Sequence, residues 1–312
     1  MRIYRDLTEV KYDENSIVTL GTFDGVHIGH KQIIGEVVKK AVEMGGRSFV
    51  ITFYPHPRKV ITGDNQLKLL NTPAEKTALL ESLGVENLLI INFTKEFSQL
   101  SPDEFVDKII IQTIGAKEIV IGHDHHFGKG RGGNIDFLMD KGKKAGFDVS
   151  VVPEYKLEDT GVNSSLIRKA LEAGEISNVT KYLGRYFSFT GKVIKGDGRG
   201  RELGFPTANL KSGSDEKLLP GIGIYAVELF IEDEKHLGLL SIGRRPTFYE
   251  EGELVTEVYI FDFNKDIYGK DMMVKVVGRI RGEQKFSSAE ELIERMNIDK
   301  KMGLEILNKL NN

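Results

Sequence analysis

Cysteine is absent from the chain, and so is tryptophan. The first absence excludes a disulfide framework, a thiol nucleophile and zinc held by thiolates. It fits a reducing compartment, and a cytoplasmic location is the expectation. Long apolar runs are also missing: none approaches the roughly 18 residues that a membrane-spanning helix needs. Residues 1–14 are charged along their length and lack the apolar core of a secretory signal. Charge of one sign is scarce too, with 43 Lys and Arg against 46 Asp and Glu, a net of −3. Up to Gly184 the balance is 23 against 25, and beyond it 20 against 21. Neither half has the basic excess of a dedicated nucleic-acid binder. The expected partners are therefore small molecules, with no nucleic acid and no membrane; association into a homo-oligomer stays open.

What is present is a chain of 312 residues, enough for about two domains, with two contrasting patterns. Ser16–Leu20, Arg47–Phe53, Asn87–Phe93, Lys117–Gly122 and Asp148–Val152 read as strands. Helical spacing fills the gaps: Ile33, Ile34, Val37, Val38, Ala41 and Val42 recur at helical spacing along a segment from His30 to Met44. Thr72-Pro73-Ala74-Glu75 and Ser101-Pro102-Asp103-Glu104 are capping boxes with proline at the first helical position. This alternation predicts a doubly wound, Rossmann-like parallel sheet with its ligand at the carboxyl ends of the strands. Near Arg185 the period changes to two, at Phe187–Val193, Ile224–Phe230, Thr256–Phe263 and Met272–Ile280, and an amphipathic helix runs from about Ser287 to Leu310. That order predicts an antiparallel β-barrel with a terminal helix. The domains are expected at 1–184 and 185–312.

Six of the seven histidines lie in the first 126 residues. Two belong to Gly21-Thr22-Phe23-Asp24-Gly25-Val26-His27-Ile28-Gly29-His30, which follows a strand and opens a helix. Glycines there let backbone approach a phosphate, and the helix start offers free N–H groups and positive potential. His27 and His30, three apart, face the same anion and can stabilise charge on departing pyrophosphate. The loop is neither a dinucleotide fingerprint nor a P-loop. His-Ile-Gly-His is also the signature of class I aminoacyl-tRNA synthetases, but their lysine-rich second loop has no good counterpart: Lys285-Phe286-Ser287-Ser288 lies in the wrong half. A second helix start, Asn163-Ser164-Ser165-Leu166-Ile167-Arg168, offers capping hydroxyls, N–H groups and an arginine to phosphate oxygens.

In the second half, the stretch from Lys195 to Leu210 carries Gly196, Arg199, Arg201 and Gly204, glycines for a tight loop and arginines for charge. It ends in Pro206-Thr207-Ala208-Asn209, where the side-chain oxygens of Thr207 and Asn209 suit a hard cation such as Mg²⁺.

These motifs together resemble the bifunctional FAD synthetases of bacteria (riboflavin kinase/FMN adenylyltransferase) over nearly the whole chain. Phe53-Tyr54-Pro55-His56-Pro57 and Gly122-His123-Asp124-His125-His126-Phe127-Gly128 strengthen the likeness in the first half, and Gly221–Ala226, Ser241–Phe248 and Asp262-Phe263…Tyr268-Gly269 in the second. The resemblance implies that the chain uses ATP twice, phosphorylating riboflavin to FMN and adenylylating FMN to FAD. It implies ATP-phosphate roles for His27 and His30, with Gly21, Phe23, Asp24, Gly29, Ser164, Ser165 and Arg168 around the nucleotide. Phe53, Pro55, Pro57, Asp124 and Phe127 are implied on the flavin side, and Glu257 as the base of the kinase step. Two departures stand out. Ser165 occupies a position where the family usually has threonine, keeping the hydroxyl and losing a methyl. His125 and His126 stand where Phe and Arg are frequent. A metal site at His123, His125 and His126 is the less favoured use of that loop.

Overall fold

The computed structural model describes residues 1–157, 160–196, 200, 204–244 and 254–309. By contacts the chain divides into two compact units, Met1–Ser164 and Ser165–Asn312.

The first unit is built on six parallel strands: β1 (Arg2–Tyr4), β2 (Ser16–Leu20), β3 (Arg47–Tyr54), β4 (Asn87–Asn92), β5 (Ala116–Gly122) and β6 (Asp148–Val152), in the order β1-β4-β3-β2-β5-β6. Parallel strands buried on both faces read as continuous apolar runs rather than alternating ones. Phe49, Ile51, Leu89 and Ile121 bury on one side, while Val50, Leu88 and Ile90 bury on the other. The connecting helices are α1 (Ile28–Glu43), α2 (Pro57–Thr62), α3 (Pro73–Ser82), α4 (Pro102–Phe105) and α5 (Ile135–Ala145). Thr72 and Ser101 cap α3 and α4 through the reciprocal bonds that the sequence announces. Helix α4 runs on as a π-helix, Val106–Ile114, and ends at Gly115 with φ of 81°. A short hairpin of β7 (Lys156–Leu157) and β8 (Thr160–Gly161) follows β6.

Strand order places the functional end. From β2 the chain moves outward through β3 and β4, then returns to the other flank of β2 as β5. The reversal opens a crevice beyond the carboxyl ends of β2 and β5. The loop Gly21–His27 follows β2 and the loop His123–Gly128 follows β5, so both border that crevice.

The second unit is a closed barrel of six antiparallel strands: β9 (Phe187–Ile194), β10 (Thr207–Ser212), β11 (Gly223–Ile231), β12 (Glu234–Arg244), β13 (Leu254–Ile260) and β14 (Asp271–Arg281), in the ring order β10-β13-β12-β11-β14-β9. Tyr225, Val227, Leu229, Leu240, Val258 and Val274 are fully buried, at alternate positions along their strands. The opposite face, with Ala226, Leu239 and Phe261, is covered by α8 (Ala289–Asn308) through Leu304 and Leu307. Helices α6 (Ser164–Glu172) and α7 (Ile176–Leu183) group with this unit, whereas the sequence pattern places them in the first. The reason is local: Gly221 N donates to Leu171 O at 2.9 Å, Arg279 Nη1 donates to Ala173 O at 2.8 Å, and α7 packs on β9 and β14. Replacing Phe189, 1% exposed on β9, by alanine should cost about 3–5 kcal/mol of stability in chemical denaturation, as expected for a large buried ring.

Candidate active sites

The loop after β2 departs from ordinary backbone. Phe23 and Val26 have φ of 46° and 40°, and Gly25 has φ of 85°, the left-handed region that only glycine enters freely. Such a run persists only where its surroundings hold it. Gly21 N donates to Ile51 O at 3.0 Å on the neighbouring strand. The Asp24 side chain, 1% exposed, accepts from Leu70 N at 3.0 Å and Asn71 N at 3.3 Å. Its carbonyl accepts from Ser164 Oγ at 2.8 Å. Ser164, read in the sequence as a phosphate-binding hydroxyl, thus donates its proton to the loop. Lys76 on α3 donates to Thr22 O at 2.6 Å and to Thr52 Oγ1 at 3.3 Å.

The loop delivers His27 to the N-cap of α1, where its Nδ1 accepts from His30 N at 3.4 Å. Gly29 lies between the two histidines in the first turn. The two imidazoles stack with centroids 3.6 Å apart and planes 21° from parallel, and Phe23 meets His30 edge-on at 5.2 Å. Burial, reinforced by the charges of His27 and Lys76, holds His30 well below the usual histidine range. Its Nδ1 is buried with no hydrogen-bond partner. An unpaired polar atom at a helix N-terminus is poised for an anion.

The residues that the resemblance implies on the flavin side lie near the ends of β3 and β5. Phe53 is the last but one residue of β3, the Tyr54–Pro55 peptide is cis, and Pro57 opens α2 beneath a cap from His56, whose Nδ1 accepts from Arg58 N at 3.1 Å. Asp124 is exposed, and Phe127 is 9% exposed. Phe53 is linked to Phe127 by a relay of rings through Phe97 and Phe105, at centroid spacings of 6.2, 6.2 and 5.5 Å. Phe93, Phe97, Phe105 and Phe137 were not identified in the sequence as site-supporting residues. Their spacing reads as ordinary core, and only tertiary packing sets them under the crevice. The less favoused metal reading gains nothing: among the described residues no group of three His, Cys, Asp or Glu is placed to hold a metal. Ser165 is exposed and Arg168 half-buried in the first turns of α6, within the second unit.

In the barrel, β10 and β13 pair so that Asn209 lies opposite Glu257 and Thr207 opposite Tyr259. Directly opposed residues share a face with Cβ atoms about 5 Å apart, so Thr207, Asn209 and Glu257 form one polar row on the face away from the barrel interior. Asn209 is 7% exposed. Gly196 comes so close to it that a Cβ there would collide with the Asn209 amide. Gly204 has φ of 82°. Arg199 and Arg201, and the segment 245–248, lie outside the described residues. A cleft of about 530 Å³ opens beside Thr207, lined by Val193, Val258, Phe263, Lys265 and Tyr268 among others. Its size suits a ring-bearing ligand.

The chain thus carries a positive-φ loop at the switch point of a doubly wound sheet and a barrel with a polar strand row beside a cleft. The FAD synthetase family matches residues 9–166 and the riboflavin kinase family residues 183–307. A Listeria monocytogenes protein, named bifunctional riboflavin kinase/FMN adenylyltransferase, is 37% identical over 92% of this chain and 91% of its own. A Bacillus subtilis protein of the same name is 38% identical over 95% of this chain and 93% of its own. The chain belongs to the bifunctional riboflavin kinase/FMN adenylyltransferase family. A Streptococcus pneumoniae crystal structure described as a macrolide-efflux protein matches with a TM-score of 0.89 and 32% identity, covering 97% of this chain and 98% of that one. Among the described residues here, no helix is long and apolar enough to cross a membrane.

Burial lowers the His125 pKa to about 4, with Asp124 opposing and His126 and Arg131 assisting. The folded state therefore binds fewer protons here than the unfolded chain, where histidine titrates near 6.5. This contribution to stability is complete above pH 6.5 and is lost as pH falls from there toward about 4. His125→Phe should flatten that part of the pH dependence, read as the urea midpoint between pH 7 and 4.

Proposed function

We propose that the chain makes FAD from riboflavin in two ATP-dependent steps, the first in residues 185–312 and the second in residues 1–184. The observation that carries this reading is the presence, in one chain, of two separate phosphate-handling constellations in the order of the two matched families: stacked His27 and His30 at the start of α1, and Thr207, Asn209 and Glu257 in register on β10 and β13.

In the kinase step, Glu257 accepts the proton of the riboflavin 5′-hydroxyl as that oxygen attacks the γ-phosphate of ATP. FMN and ADP result. Gly196, Arg199, Arg201 and Gly204 are assigned to the phosphates of that ATP, and the cleft beside Thr207 receives one of the two ring systems. Mg²⁺ fits this site. Thr207 and Asn209 offer neutral oxygens, a donor set suited to a hard cation that completes its shell with phosphate and water. When bound, Mg²⁺ neutralises charge on the phosphates.

In the adenylyl step, an FMN phosphate oxygen attacks the α-phosphate of a second ATP, and pyrophosphate leaves. The attacking group is already anionic, so positioning and charge stabilisation carry the step. His27, His30 and the N–H groups opening α1 take up charge on the departing pyrophosphate. Gly21, Phe23, Asp24 and Gly29 shape that loop, Ser164 braces it through the Asp24 carbonyl, and Ser165 and Arg168 are the further residues assigned to the nucleotide. Phe53, Pro55, Pro57, Asp124 and Phe127 serve the flavin, on the rigid base of the ring relay. The cytoplasm, where ATP is at hand, is the compartment assigned.

Incubation with riboflavin, ATP and Mg²⁺, followed by chromatography, should yield FMN and then FAD. His30→Ala should lower FAD formation by about 10²–10³-fold with FMN formation unchanged. Glu257→Ala should lower riboflavin phosphorylation by about 10²–10⁴-fold while added FMN is still adenylylated. Full-rate phosphorylation by Glu257→Ala would remove Glu257 from the base role.

A further inference from the structure

A cation sits behind the loop after β2 that neither the motifs nor the proposed roles use. Lys76 lies on the second turn of α3. Lys76 is half-buried, and desolvation of its ammonium brings its pKa down to about 8 despite the nearby Asp24 charge. Two of its N–H bonds go to the Thr22 carbonyl and the Thr52 hydroxyl, and that hydroxyl itself donates to Thr22 O at 3.1 Å. The Asp24 carboxylate is engaged instead by the N–H groups of Leu70 and Asn71. An ammonium partly withdrawn from water and hydrogen-bonded by neutral oxygens carries a desolvation cost. A surface lysine that merely caps a helix face would not incur that cost.

The space beside Lys76 is a cavity of about 10 Å³, lined by Asp24, Phe53, His56, Asn71 and others. That is room for one water molecule and not for a phosphate. Lys76 therefore does not touch a substrate there; whatever it does, it does through the loop. Its field reaches His30, whose protonation it opposes in the free protein.

We propose that Lys76 is a positioning residue for adenylyl transfer: it pins the loop Gly21–His27 through the Thr22 carbonyl and sets a fixed positive charge beneath the seat of the ATP phosphates. A polyphosphate arriving above the loop meets a site whose shape and sign are already set, so less is lost in ordering it. The charge is protonated near neutral pH and is lost as pH rises through about 8. Asp24, His30, Tyr54 and His56 are the other titratable groups around it.

This inference rests on the assignment of residues 1–184 to FAD formation, and the experiment separates the two. FAD formation from FMN is measured against ATP concentration between pH 6.5 and 9.5 in the wild type, Lys76→Met and Lys76→Arg, with riboflavin phosphorylation by the same chains as an internal control. The wild type should show a KM for ATP that climbs above about pH 8. Lys76→Met should raise that KM about tenfold or more at pH 7. Lys76→Arg, which keeps its charge throughout and leaves those neighbouring groups in place, should recover most of the affinity and lack the alkaline climb. A wild-type KM in Lys76→Met, or an unchanged alkaline climb in Lys76→Arg, would overturn the proposal. Should Lys76→Met not fold, the pH profile of Lys76→Arg decides alone. A wild type that forms FMN but no FAD at any pH would overturn the assignment of the first unit, and this proposal with it.

Discussion

The buried carboxylate of Asp24 is the tie that holds the first unit's loop in place. It takes N–H groups from the chain just before α3, while the carbonyl of the same residue takes the hydroxyl of Ser164. Charged acceptors with amide donors make strong hydrogen bonds, and burial strengthens them. That strength is needed because the loop runs through three residues of positive φ, two of them with side chains. The stacked imidazoles inherit their geometry from this arrangement. If the loop relaxed, His27 would leave the N-cap of α1 and the face-to-face contact with His30 would go.

Both units solve the same problem by different means. Each must present polar groups to highly charged phosphates without burying unsatisfied charge. The sheet does so with a helix start, whose N–H groups carry partial charge at no ionic cost. The barrel does so with neutral oxygens from Thr207 and Asn209 beside one carboxylate, Glu257. The chemistry assigned to each follows from that difference. Attack by a hydroxyl calls for a group that accepts a proton, and Glu257 in the barrel row is the carboxylate assigned to that task. Attack by a phosphate calls for none, and the helix start is assigned the task of donating to the leaving group.

Much of this was legible in the chain itself. The alternation of apolar runs and capped helices marked the start of α3 and the whole of β6 to the residue, α3 because Thr72 and Pro73 announce it by local chemistry. What escaped notice depends on partners far along the chain. Strand β1 is three residues long and exists only by pairing with β4. Strand β12 carries Leu237, Leu239 and Leu240 around Gly238 and so lacks a clean period of two. Strand β10 hides behind Pro206, which reads as loop. The histidine loop stood out because glycine and histidine are unusual there. Lys76 did not, since a lysine on an amphipathic helix is ordinary until the fold encloses it.

The closed ring of the second unit has a consequence for its polar row. In an open sheet, an edge strand can slide by one residue and turn every side chain over. Here β10 and β13 are each clasped on both flanks, β10 between β9 and β13, and β13 between β10 and β12. Sliding either one would break two ladders at once. The alignment of Asn209 with Glu257 is thus guaranteed by circular continuity rather than by any bond between the two side chains, and their spacing is a property of the whole hoop.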